Sequence, residues 1–250
     1  MFKLTVQRNI LLAGITLVVL SNSQSLQTLL AQTNPGVSEW EIEIAAFEAS
    51  DKINPPHQNS ILFVGSSTIR LWKSLAHDFP QHKVINRGFG GSHLADSIAF
   101  AHRIVIPYRP KMVLLYAGDN DIADGKTPEM VSADFKSFVA QVQAALPETG
   151  IAYISIKPSL ARWQLVDKIK AANRLIEDYS RKKKNLMFID VFTPMLGPEG
   201  EPRKELFESD GLHLNAKGYE LWTSVIKPFL NKKPTRINTP PPLKAPKSTR

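Results

Sequence analysis

The stretch Ile61-Leu62-Phe63-Val64-Gly65-Ser66-Ser67-Thr68 decides the fold. Four apolar residues in a row, closed by a glycine and three hydroxyl residues, describe a strand covered on both faces that ends abruptly in a polar loop. Four more runs repeat that pattern: KVINRG at 83–88, MVLLYAG at 112–118, IAYISI at 151–156 and LMFIDV at 186–191. Helical patterns fall between them. The clearest opens with Thr127 as a cap and Pro128 in the first turn, then sets Val131, Phe135, Phe138, Val139 and Val142 on one stripe. Others are predicted near 38–50, 93–104, 163–181 and 216–230. This alternation predicts an α/β fold with a right-handed, doubly wound parallel sheet of five strands. The chain carries no internal repeat.

Outward from the strands, the chain of 250 residues divides into a body at 37–231 and two tails. Its hydrophobic content of 43% and charged content of 22% are those of a globular domain and exclude wholesale disorder or a polytopic membrane protein. Cysteine is absent, which excludes disulfides, thiolate metal sites and a cysteine nucleophile. The formal charge of +8 comes from the tails. Residues 1–36 hold Lys3 and Arg8 and no acid, and residues 232–250 hold six bases and no acid. The remaining 23 bases face 23 acids, so the body is formally neutral and requires no nucleic-acid partner. Residues 1–31 read as a signal peptide, with two basic residues ahead of an apolar run from Ile10 to Leu20 that is too short to span a bilayer. Ser21-x-Ser23 and Leu29-x-Ala31 are both candidate cleavage sites; an uncleaved anchor is the alternative. Either places the body outside the cytoplasm, periplasmic or secreted. Residues 232–250, rich in proline and positive charge, read as a disordered tail able to touch an anionic membrane or cell-envelope surface.

In a doubly wound sheet the ligand crevice lies beyond the carboxyl ends of the strands. Four loops there are rich in chemistry. They are Gly65-Ser66-Ser67-Thr68, Asn86-Arg87-Gly88-Phe89-Gly90-Gly91-Ser92, Gly118-Asp119-Asn120-Asp121 and, beyond the fifth strand, Asp210-Gly211-Leu212-His213. Together they offer a hydroxyl, a glycine backbone, a carboxamide and a carboxylate–imidazole pair. A serine hydroxyl attacks an acyl carbon only when an imidazole takes its proton, and a carboxylate holds that imidazole in one tautomer. The developing oxyanion needs fixed donors, which a serine N–H, a glycine N–H and an asparagine amide supply without titrating.

These four blocks, in this order from Ile61 to about Leu230, resemble the SGNH hydrolases, the GDSL-type esterases and lipases. The resemblance implies a flavodoxin-like three-layer α/β/α sandwich. It also implies Ser67 as nucleophile, His213 as general base and acid, and Asp210 as its orienting carboxylate. Ser67, Gly91 and Asn120 become the oxyanion donors by the same resemblance, which implies neither metal nor organic cofactor. The substrate class implied is a small-molecule ester of a carbohydrate or lipid. Ser66 stands where the family has aspartate, which sets Ser66 beside Ser67 as a second candidate hydroxyl.

Other readings compete. Ser67 and Thr68 can cap a helix that includes Ile69, Leu71 and Trp72. RGFGGS at 87–92 does not fit a dinucleotide fingerprint, and no Walker lysine follows it. A calcium loop begun at Asp119 would put Asp124 where glycine is required. Arg87 and His93, in or beside the glycine loop, are within reach of a substrate. The alternative at the level of function is a catalytically silent relative that binds glycan or cell-envelope ligands in the same crevice; a nucleotide-binding flavodoxin-like protein is a third.

Overall fold

The computed structural model describes residues 40–231. The leader or anchor read at 1–31 and the basic tail read at 232–250 lie outside the described residues. Five strands form one parallel sheet: β1 (Ile61–Gly65), β2 (Val84–Gly88), β3 (Met112–Tyr116), β4 (Gly150–Ile154) and β5 (Leu186–Ile189). Their order is β2-β1-β3-β4-β5. The chain therefore steps from β1 out to one edge, returns past β1 to β3, and then runs to the other edge. The reversal between β1 and β3 opens a crevice above their carboxyl ends.

Eight α-helices cover the sheet among the described residues: α1 (Glu41–Ile53), α2 (Ser67–Arg70), α3 (Leu75–Asp78), α4 (Leu94–Ile104), α5 (Asp119–Ala123), α6 (Pro128–Ala145), α7 (Val166–Arg181) and α8 (Ala216–Leu230). One face carries Leu62, Val64, Val113 and Leu115 against Ile44 of α1, Ile104 of α4, Phe135 of α6 and Ile176 of α7. The other carries Ile61, Phe63, Leu114 and Tyr116 against Ile69 of α2, Leu75 of α3 and Trp222 of α8. Alternate residues of one strand thus enter different cores, which is why β1, β3 and β4 are apolar at almost every position and buried along their whole length. This is the expected three-layer sandwich.

The long helices fall close to their sequence patterns. The hydroxyl of Thr127 accepts from the Met130 N–H at 3.3 Å, capping α6, and the Asn215 side chain does the same for Gly218 at the start of α8. The predicted helix at 163–181 divides into a 3-10 turn, Trp163–Leu165, and α7. The one predicted at 38–50 runs instead from Glu41 to Ile53. Trp222 is fully buried, while Trp40, Phe47 and Trp163 pack against the core from its margin. Among the described residues no helix is long and apolar enough to cross a membrane.

Candidate active site

Gly65 ends β1 with φ of +138°, and a Cβ there would lie 1.8 Å from the Tyr116 carbonyl oxygen. Only glycine lets the strand pass β3 this closely and turn at once into α2. Ser66 takes the N-cap position of α2 without a side-chain capping bond, so Ser67 is the first helical residue. Capping is therefore not what the Ser67 hydroxyl does. Its Oγ lies 3.1 Å from Nε2 of His213. Ser66, 3% exposed, makes no bond to that ring.

His213 is held by its neighbour in sequence. Its Nδ1 lies 2.6 Å from Oδ2 of Asp210, while Oδ1 of the same carboxylate accepts the N–H groups of Leu212 and His213 at 2.8 and 2.9 Å. One carboxylate thus fixes both the loop backbone and the ring. Desolvation by its neighbours opposes ionisation of the exposed Asp210, but the imidazole and the two N–H groups outweigh it and lower its pKa to about 2. The relay Asp210–His213–Ser67 joins the start of α2 to a loop residue 146 positions later.

The second glycine-rich block approaches from β2. A Cβ on Gly88 would lie 2.3 Å from the Arg70 amide nitrogen, so the absence of a side chain lets β2 press against the helix that carries Ser67. Asn86 fastens the same contact, donating to the Ile69 carbonyl at 2.7 Å and accepting from Gly88 N–H at 2.9 Å. Gly91 is exposed with φ of +69°, and its missing Cβ would point into open space. Neither the Ser67 N–H nor the Gly91 N–H has a hydrogen-bond partner among the described residues. Asn120, on α5 just after β3, donates from Nδ2 to the Ser92 carbonyl at 3.0 Å. That bond ties the third block to the second. Asp121, fully buried, adds a second tie by accepting the Leu94 N–H at 3.1 Å and the Lys126 ammonium at 2.8 Å.

Two groups beside these blocks come from the loop after β4, which sequence reading passed over. Lys157, 1% exposed, donates to Oδ2 of Asp119 at 2.9 Å. Arg162 donates through Nη1 to Oδ1 of Asp119 at 2.6 Å and to Oδ1 of Asn120 at 3.1 Å. Burial would raise the Asp119 pKa, but the two cations reverse the effect and lower it. A carboxylate so occupied has little left for a cation such as calcium. The signal for this cluster was a Lys and an Arg at the carboxyl end of a buried strand, the position already identified as the crevice.

Arg87 does not reach toward the crevice. It lies across β2 on the opposite side, bonded to Asp51 and to the Tyr108 hydroxyl and stacked over the Phe47 and Tyr108 rings. It fastens α1 to the sheet, because a guanidinium with both aromatic and carboxylate partners holds best where it is mostly buried. His93 is also occupied, with Nε2 2.6 Å from Asp124 and Nδ1 3.3 Å from Asp96.

Comparison with known proteins agrees with this architecture. The GDSL-like Lipase/Acylhydrolase family, represented by its sequence model, matches residues 60–221. No curated protein sequence gives a significant match. Among solved structures, the chain is similar to a Streptococcus pneumonia protein provisionally named a platelet activating factor. That likeness has 23% identity and a TM-score of 0.70, covering 84% of this chain and all of the other. It is also similar to a GDSL-like lipase from Bacteroides thetaiotaomicron VPI-5482, at 19% identity and a TM-score of 0.66, covering 75% and 96% of the two chains. A catalytic mutant of an acetylxylan esterase from Geobacillus stearothermophilus matches at 15% identity and a TM-score of 0.56, over 70% and 95%. Likenesses at these identities establish the fold.

Proposed function

Because the chain belongs to the GDSL-like lipase/acylhydrolase family, we propose that it hydrolyses carboxylic esters with Ser67 as nucleophile, His213 as general base and acid, and Asp210 as the carboxylate that orients the ring. The observation that carries this reading is the relay itself, 3.1 Å from hydroxyl to imidazole and 2.6 Å from imidazole to carboxylate. With Nδ1–H donated to Asp210, Nε2 is left as the acceptor facing the hydroxyl. Ser67 Oγ adds to the ester carbonyl carbon as its proton passes to Nε2. The Ser67 N–H, the Gly91 N–H and the Asn120 amide stabilise the oxyanion that forms. Collapse of this intermediate breaks the bond to the alkoxy oxygen, which takes the proton from His213. Water then attacks the acyl-serine by the same route and restores the free hydroxyl.

For the substrate, small acyl groups fit best, since no long apolar insertion interrupts the blocks to act as a lid over a long chain. Esters of carbohydrate are the first class to try, with lysophospholipid and other small lipid esters second. The acetylxylan esterase among the structural neighbours supports that order. The leader at 1–31 supports a site of action outside the cytoplasm, and the basic tail supports contact with an anionic surface there.

The deciding experiment is hydrolysis of p-nitrophenyl acetate by the purified protein, followed by a panel of longer acyl chains. Turnover by the parent protein, with loss of about three or more orders of magnitude in both Ser67→Ala and His213→Ala, is the expected result. A folded but inert parent protein would favour a binding role in the same crevice instead.

A further inference from the structure

The segment from Lys157 to Arg162 touches both halves of the site. The Ala161 N–H donates to the Gly211 carbonyl at 3.1 Å, on the loop that carries Asp210 and His213. One residue later, Arg162 reaches Asp119 and Asn120 on the other side. The segment therefore braces the imidazole loop against the carboxamide loop.

An asparagine carboxamide is nearly symmetrical in shape, but its two ends are opposite in chemistry. Oxyanion stabilisation needs Nδ2 toward the developing charge; the flipped amide would present Oδ1 and repel it. Partners decide which way it turns. The Arg162 guanidinium has only donors, so it donates to an oxygen beside it and excludes an NH2 group. The Ser92 carbonyl has only lone pairs, so it accepts Nδ2 and excludes Oδ1. With Oδ1 committed to Arg162 and one Nδ2 hydrogen committed to Ser92, the second Nδ2 hydrogen is the group left to act. The guanidinium is itself fixed, because Asp119 is buried and clamped from the far side by Lys157.

We propose that Arg162 is a positioning residue for Asn120, setting and polarising the carboxamide so that its free N–H serves as the oxyanion donor. This rests on the reading of Asn120 given above. Lys157 still compensates Asp119 when Arg162 is replaced, so an Arg162→Met protein is expected to fold.

The test is a double-mutant cycle on the full chain with p-nitrophenyl acetate, using Asn120→Ala, Arg162→Met and their combination, with Ser67→Ala and Arg162→Lys as references. Asn120→Ala is expected to lower kcat by about 10²–10³-fold. Arg162→Met is expected to lower kcat by about tenfold to a hundredfold with KM within about twofold of the parent, the signature of a misplaced group that acts in the transition state. Arg162→Lys, which keeps a donor-only cation, should recover part of that loss. In the Asn120→Ala background, Arg162→Met should cost less than about twofold more, because the residue it acts through is gone.

A kcat within twofold of the parent in Arg162→Met overturns the proposal, and so does an equal loss with and without Asn120. Should Arg162→Met fail to fold, the same cycle run with Arg162→Ala decides by the same criteria. Activity surviving in Ser67→Ala would instead remove the proposed mechanism itself. If Ser67→Ala is inert and Asn120→Ala impaired while Arg162→Met is normal, only the role of Arg162 falls.

Discussion

In each of two aspartate–imidazole pairs, Asp210 with His213 and His93 with Asp96, the partners sit three residues apart in sequence, and the pairs are built for opposite ends. In the first, one ring nitrogen meets a carboxylate and the other meets the Ser67 hydroxyl. In the second, both ring nitrogens meet carboxylates, Asp96 on one side and Asp124 on the other. Two carboxylates favour the cationic form of the imidazole between them, and that form has no lone pair to offer. Burial would lower the His93 pKa, but Asp124, Asp121 and Asp96 outweigh it and raise the value. The pair alone therefore does not make a base. What makes one is a single uncommitted nitrogen aimed at a hydroxyl.

The largest effect that would break this comparison lies at Asp210. Asp210→Asn leaves an oxygen to accept the Leu212 and His213 N–H groups but permits the wrong tautomer of the ring, so kcat should fall by about 10³–10⁴-fold. The melting temperature should move little, because Asp210 is exposed and water screens its charge. If kcat of this variant stays within tenfold of the parent, the carboxylate does not orient the base. The same change at a third aspartate acts on stability as well. Asp119→Asn strands the buried Lys157 ammonium without its counter-charge and should cost about 3–5 kcal/mol of stability, read as a lower urea midpoint. An unchanged midpoint would mean that the contact between Lys157 and Asp119 contributes nothing to stability.

These differences also mark what was legible in the sequence. Interior strands of a parallel sheet bury both faces, so β1, β3 and β4 announce themselves as unbroken apolar runs. The edge strand β2 is only half-buried and carries Asn86 and Arg87, yet its neighbours in the pattern make it readable. Helices α2 and α3, of four residues each, are shorter than the stripe that periodicity needs. At the site, Ser67, Gly91, Asn120, Asp210 and His213 lie beyond the strand ends in stretches of distinctive composition. Lys157 and Arg162 did not stand out, because lysine and arginine are ordinarily solvated and their position after β4 was the one sign that they face the crevice. Arg87 was read toward a substrate because it stands beside the glycine loop, but alternation along β2 turns it to the other side. His93 was read the same way, and nothing in its local sequence announces Asp124, 31 residues away.

The smallest effect tests the His93 half of the comparison. Its pKa is raised in the folded protein, so the bonds to Asp96 and Asp124 stabilise the fold fully below the ordinary histidine value of 6.5 and are lost as pH rises through the higher folded-state value. Asp124 is mostly exposed, so the contribution is expected to be only about 0.5 kcal/mol. Thermal melts of the parent should therefore decline slightly from pH 6 toward pH 8, and His93→Gln should flatten that decline while leaving p-nitrophenyl acetate turnover within about twofold. A loss of turnover comparable to that of Asp210→Asn would place His93 in the proton path, and the distinction between an imidazole with one free nitrogen and one with none would no longer separate the two regions. A flat profile in the parent would show instead that water competes successfully for the ring, leaving Asp96 to act mainly through its bond to the His93 N–H at the start of α4.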